Sequence, residues 1–283
     1  MSVVLFDTPG PRARRRTLVW SVVAGAVLLA LLVLAGLRLA SNGIFDADRW
    51  DIFTEDSETL KALVKRGMGA TLRAAAVAAA LAFTLGPLLA VARMSENRWV
   101  RIPAVVWIEL FRGLPVILLM FFSSLALDVS IFRAVVLGLV LYNTAVIAEI
   151  LRAGITSLPA GQRESALAIG LKPGQALRLI LMPQAVRRML PSLVSQLVVL
   201  LKDTSLGYIV GYVELLRVNR ELRDFFGSRY IFSLFIVTAV LYLAVNFTLS
   251  RVAVYLERRG TTKAAGGVAP AESAGDLEAG RAV

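Results

Sequence analysis

Two pairs of opposite charges stand inside apolar runs. Lys202 and Asp203 lie within residues 189–213, and Glu109 and Arg112 lie within residues 103–127. If those runs cross a bilayer, a charge at mid-depth costs about 2.5–3.5 kcal/mol, so it normally faces protein or water and serves a purpose. A cation suits a carboxylate and an anion suits an ammonium, so Lys202 and Asp203 could recognise a zwitterion. Lys202 and Asp203 are sequence neighbours whose side chains diverge by about 100° on a helix, so each should find partners on other helices. The alternatives are that they fix helix register or sit near the outer water boundary. Glu109 and Arg112 share a face at i, i+3, placed either to neutralise each other near the inner interface or to line a path. On the run around Lys202 and Asp203, Ser192, Ser195, Gln196, Val199 and Asp203 form one broad stripe, with Leu193, Val194, Leu197 and Leu201 covering much of the remainder. Such a stripe is either the wall of a polar path or a set of interhelical hydrogen bonds. Thr204 beside it, and Asn143 and Thr144 in the preceding run, complete the candidates for a path.

Other chemistry is excluded by residue type. The chain has no Cys and no His, which removes thiol catalysis, disulfides, Cys/His zinc sites and imidazole bases. Only Asp203 is placed to be a buried acid, so an aspartate pair for intramembrane hydrolysis lacks its second member. No Gly-Lys-[Ser/Thr] phosphate loop occurs, so any nucleotide chemistry must reside on another polypeptide. No catalytic residue and no metal site are therefore expected.

The elements that would hold these residues are membrane helices. The sequence is 57% apolar and 18% charged, against about 45–50% and about 25% for a soluble domain. Residues 18–37, 74–92 and 230–250 carry no charge and are long enough to cross the hydrocarbon. Runs 103–127, 134–148 and 189–213 are interrupted or bounded by charges, and with them the count becomes six. Arg38 stands where a small residue would precede a cleavage after Ala40, so the first run reads as a retained anchor. Lys and Arg exceed Asp and Glu by 31 to 20, a net charge of +11, and the excess sits mostly where orientation would place it. Arg12, Arg14, Arg15 and Arg16 precede the first run, so both termini are expected in the cytoplasm of a multi-pass plasma-membrane protein. The acidic stretch 41–65 then falls outside. Segment 214–229 also falls outside, although it carries Arg217, Arg220, Arg223 and Arg229, against the usual bias. No soluble basic domain is present to bind nucleic acid. The expected divisions are a basic segment 1–17, an anchor with its acidic loop 18–66, a membrane domain 67–256 and a disordered tail 257–283.

The longest cytoplasmic connection, residues 152–188, is the most patterned. Thr156-Ser157 supplies a helix cap, Pro159 fits the first turn, and Gly170 fits the position after the helix end. Pro173 starts a second short helix, which Pro183 is expected to punctuate. Glu164-Ser165-Ala166, then Gly170, Ile180 and Pro183 at the spacing seen here, resemble the EAA loop of ABC-importer permease subunits, with Ser165 standing where that pattern has Ala. The segments Glu109-Leu-Phe-Arg112-Gly-Leu-Pro115, Ala148-Glu149-Ile-Leu-Arg152-Ala-Gly154 and Leu201-Lys202-Asp203-Thr204-Ser205 are similar to permeases of polar amino acid importers, and the chain as a whole looks most like the glutamate-importer permeases of Gram-positive bacteria. The resemblance implies an all-α integral membrane fold of about six transmembrane helices. It implies a coupling surface at Gly161, Glu164, Ser165, Ala166 and Gly170. It also implies partners: two ABC ATPase subunits carrying ATP and Mg, a second permease chain that is homologous or identical, and an extracellular substrate-binding protein. This chain would bind no cofactor of its own. An ion-coupled secondary amino-acid transporter is the alternative, and it should show an internal repeat, which the sequence lacks.

Overall fold

The computed structural model describes residues 10–265, leaving aside the side chains of 252, 253 and 256–265, and every regular element among them is helical. In chain order these are α1 (Pro11–Ser41), α2 (Ser57–Arg93), α3 (Arg98–Gly113), α4 (Val116–Ala126), α5 (Ile131–Thr156), α6 (Ala160–Ala168), α7 (Pro173–Arg188), α8 (Leu190–Asp203), α9 (Leu215–Phe226) and α10 (Ile231–Ala265). Among the described residues four helices are long and apolar enough to cross a membrane, rising to six when two bent pairs each count as one crossing. The fold is thus an all-α membrane bundle.

Helix α5 is its centre. Along α2, Ala74, Ala78, Ala82, Gly86 and Ala90 are all buried. Their four-residue spacing makes a stripe of small side chains that lets α2 approach α5 closely. On another side of α5, a Cβ placed on Gly138 would come within 2.7 Å of the Met120 backbone nitrogen. Only glycine lets α4 pack at that distance. Helix α1 buries none of its residues and stands apart, and the acidic segment after it is what ties it down. Ile52 and Phe53 from that segment join Leu63 and Met68 of α2, Leu215 and Val218 of α9 and Leu234 of α10 in one apolar cluster.

Run 103–127 is not one interrupted helix. It breaks at Leu114 and Pro115, and α3 and α4 meet at 105°. Leu114 is extended (φ −94°, ψ 139°), the conformation that a following proline imposes. The segment 152–188 also departs from expectation. Thr156 and Ser157 end α5 rather than cap α6, and α6 begins at Ala160 with Pro159 just before it. Pro183 does not end the second helix, since α7 continues to Arg188. A π-helical stretch at Leu177–Leu181 precedes the proline and accommodates the hydrogen bond that Pro183 cannot donate. The change of direction comes later, 64° between α7 and α8. The apolar run 189–213 leaves its helix early, through a tight turn at Thr204–Tyr208. Residues 257–265, expected to be disordered, continue α10. The rest of that tail lies outside the described residues. Arg12, Arg14, Arg15 and Arg16 form the first turns of α1 rather than a separate segment.

Candidate coupling elbow and polar path

Helix α6 and the start of α7 form an elbow at one end of the bundle. Of the α6 residues only Ala166 is buried, while Gly161, Glu164 and Ser165 face solvent together with the apolar Leu167 and Ile169. A short helix with a single buried residue is held by its ends. At its C-terminus the Gly170 N–H donates to Leu167 O at 3.0 Å and the Leu171 N–H to Ala166 O at 3.2 Å. This Schellman arrangement needs a left-handed residue at Gly170, whose φ is +87°, and a β-branched side chain there would cost roughly 1–2 kcal/mol. Helix α7 then starts with its Lys172 N–H donating to the Gln175 Oε1 at 2.9 Å.

The elbow is fastened to the membrane helices. Ile155, Leu177, Leu181 and Ala185 are buried together, against Val91 and Met94 at the end of α2. Gln184 donates to Gln162 at 3.0 Å, and the Arg188 guanidinium donates to Ser157 O at 2.8 Å. Both contacts lie on the N-terminal side of α6, Gln162 in its first turn and Ser157 at the end of α5, and α7 passes directly into α8.

Glu109 and Arg112 pair at 2.8 Å, but they belong to a larger set. Arg93 from the end of α2 reaches Glu109 at 3.0 Å and Glu149 at 3.3 Å. Arg112 also approaches Glu149 at 3.7 Å, and Arg152 grips Glu149 with two hydrogen bonds of 2.8 and 3.0 Å. Three guanidiniums and two carboxylates thus clasp α2, α3 and α5 together just above the elbow. Arg93, Glu149 and Arg152 were not among the sequence-derived site residues. A signal was present in the spacing Glu-x-x-Arg at Glu109…Arg112 and Glu149…Arg152, although the same spacing recurs at Glu214…Arg217 and Glu278…Arg281.

The remaining path candidates separate into two groups. Asn143 and Gln196 are buried and bonded to each other, Gln196 Nε2 to Asn143 Oδ1 at 2.8 Å, with Asn143 Nδ2 donating to Leu139 O. They join α5 to α8, which matches the interhelical alternative. Thr144 is buried beside them with no hydrogen-bond partner for its hydroxyl, and Thr204 is buried with its hydroxyl on Leu201 O. The second group is exposed. Ser192, Ser195, Val199 and Lys202 run down the open face of α8. Lys202 and Asp203 do not find the expected partners: among the described residues neither joins an ion pair. Lys202 is exposed at the end of α8 and Asp203 is half-buried.

The deepest acid is Glu214, not Asp203. Its residue is fully buried just before α9, its carboxylate accepts from the Arg217 N–H at 3.0 Å, and the Tyr242 hydroxyl lies 3.4 Å away. Burial pushes this carboxyl above the ordinary range, opposed by the backbone N–H groups of the helix start. Nothing local in the sequence marks it, because Tyr242 and Thr71, which bonds the adjacent Leu215 N–H, come from distant helices.

Residues 82–261 match the family described as binding-protein-dependent transport system inner membrane component. The chain is 41% identical over 229 residues to the glutamate transport system permease protein GluD of Corynebacterium glutamicum, covering 78% of this chain and 83% of that one. It is 37% identical over 204 residues to the probable glutamine ABC transporter permease protein GlnP of Bacillus subtilis, covering 69% and 92%. Among solved structures, a chain from the crystal structure of an amino acid ABC transporter with histidines superposes with a TM-score of 0.64 at 27% identity, over 71% of this chain and 95% of that one.

Proposed function

Because the chain belongs to the family of binding-protein-dependent transport system inner membrane components, we propose that it is the membrane-spanning permease subunit of an ATP-driven importer of polar amino acids, glutamate or a close relative among them. Ion-coupled secondary transport is not favoured by these relatives. The observation that carries the reading is the elbow. A short helix exposes Glu164 and the apolar Leu167 and Ile169 to a partner, and its N-terminal side is bonded, through Gln162 and the preceding Ser157, to the helix that leads into α8.

The mechanism follows from that linkage. The partner is a pair of ATPase subunits that hold ATP and Mg, and their approach displaces α6. Tied through Gln162–Gln184 and Ser157–Arg188, α6 carries α7 with it, and the 64° bend turns that movement into a tilt of α8. Tilting α8 moves Ser192, Ser195 and Lys202, which line the substrate path opposite a second permease chain. Lys202 and Asp203, lacking protein partners, offer the charges that a carboxylate and an ammonium require. Glu109 and Arg112 act differently, within the clasp, as a joint that keeps α2, α3 and α5 aligned. An extracellular binding protein delivers substrate at the opposite end, where the acidic segment and α9 lie, and both termini of this chain are cytoplasmic.

The test is reconstituted uptake. Proteoliposomes holding the chain with its ATPase and binding protein should accumulate labelled glutamate only with ATP inside, and unlabelled polar amino acids should compete. Accumulation driven by an ion gradient without the ATPase would refute the assignment.

A further inference from the structure

An open cavity of ≈ 930 Å³ lies between the end of α2, the start of α3 and the elbow. Its lining is basic: Arg93, Arg101, Arg152, Arg163 and Arg178 face it with the acid Glu96. Arg93 and Arg152 are engaged in the clasp, and Arg163 approaches Glu96 at 3.8 Å. Arg101 and Arg178 have no acidic partner among the described residues. Two guanidiniums without an acidic partner thus face one cavity, and Arg is the side chain best suited to a phosphate.

Helix α3 indicates where the anion comes from. Trp99, Ile102, Val106 and Leu110 are between 52% and 76% exposed, and their spacing of three and four residues puts them on one face. Arg101 and Arg112 lie on the opposite one. A helix with Trp and aliphatic residues on one side and Arg on the other, turned 105° from the next membrane helix, has the form of one lying in the bilayer interface. Its apolar face meets acyl chains while Arg101 reaches the level of the headgroups.

We propose that this cavity binds the phosphate headgroup of an anionic phospholipid from the leaflet adjoining the elbow, held chiefly by Arg101 and Arg178. The bound headgroup bridges α3 to α7 and so joins the interfacial helix to the moving elbow. Neither the ATPase nor the transported substrate is needed for this site to fill.

The full-length chain, purified in a neutral detergent and titrated with phosphatidylglycerol or phosphatidylcholine, tests this by native mass spectrometry. The chain should retain phosphatidylglycerol in preference to phosphatidylcholine. R101Q/R178Q should weaken that retention about thirtyfold, each guanidinium being worth about 1 kcal/mol beside an anionic headgroup. R101K/R178K should hold retention within a few-fold, and R14Q/R15Q, equally basic but on α1, should leave it unchanged. If the double variant does not fold, the exposed R178Q alone decides, with about a fivefold loss expected. Equal retention of the two lipids, unchanged binding in R101Q/R178Q, or complete displacement of phosphatidylglycerol by millimolar inorganic phosphate would overturn the proposal, the last by showing a free-anion site.

Discussion

At the Gly69 end of the α2–α5 pair, Glu214 is buried without a cation, the Leu215 N–H bonds Thr71, and Ile52, Leu63, Val218 and Leu234 close over them. At the Arg93 end the same helices are held by five charged side chains, several of them partly open to solvent, beside an exposed elbow. Apolar burial and a helix cap admit one arrangement, because a close-packed interior resists small shifts. Ion pairs with shared partners can exchange: Arg93 already spans Glu109 and Glu149. In the function proposed above, the first end serves as a fulcrum and the second as a lever. A transporter driven from outside its own chain requires that asymmetry, since motion imposed at one end must not dissipate at the other.

The largest expected effect lies on the lever. Glu164→Ala and Gly170→Val should each reduce uptake about 5–150-fold, the range of a coupling free energy of 1–3 kcal/mol. Both should leave the amount of protein in the membrane unchanged, and ATP hydrolysis in the assembled complex should persist without transport. Normal uptake by both variants would break the comparison from the lever side.

The fulcrum should respond in stability instead. Glu214→Ala removes a helix cap and should cost about 0.5–2 kcal/mol, read as a lower melting temperature with near-normal uptake per folded molecule. Glu214 also has a pH signature. Burial raises its carboxyl above the ordinary value, so the protonated form is favoured in the fold. Its contribution is therefore fully present below the ordinary carboxylate range and is lost as pH rises through the raised value. Glu214→Gln, neutral at every pH, should remove that part of the stability profile, and an unchanged profile would place the carboxylate in solvent.

The smallest effect belongs to the clasp. Glu149→Gln should cost less than about 1 kcal/mol, as partly exposed ion pairs do, and the difference from wild type should shrink at high salt. The effect of Glu214→Ala should not depend on salt. Equal salt dependence at the two ends would erase the distinction drawn here.

How much of this could be read from residues alone varied with distance along the chain. The turn at Gly170 was legible because turn chemistry is local: a glycine after a short helix, then Pro173. The all-α membrane architecture was legible because hydropathy and length decide it, four described helices meeting that test singly and two bent pairs meeting it together. The direction of a crossing was not, although Gly113-Leu114-Pro115 marks the break, because an apolar run carries no information about the angle between its halves. The polar stripe on α8 divided into a buried side, Gln196 on Asn143, and an exposed side, since helical period cannot say which neighbour covers which edge. Arg93 and Glu214 were missed for the same physical reason. Their partners lie on other helices, and only packing brings them together. The acidic segment proved more structural than its composition suggested, with Ile52 in the core and Asp48 paired with Arg229. With that pairing, Arg217–Glu221 at 3.7 Å and Arg220–Asp224 at 3.6 Å give acidic partners to the arginines that made segment 214–229 anomalous.

The chain contains no cysteine, so pairs of spin labels can be placed on it, within the full transporter, without background from the chain itself. With one label at Leu60 near the start of α2 and the other at Leu167 on α6 or at Phe225 on α9, all exposed, pulsed distance measurements with and without ATP address the lever and fulcrum in one experiment. The Leu60–Leu167 distance should change on nucleotide binding while the Leu60–Phe225 distance stays fixed, and Glu164→Ala should abolish the change. A fixed elbow with a shifting α9, or equal movement at both ends, would contradict the account.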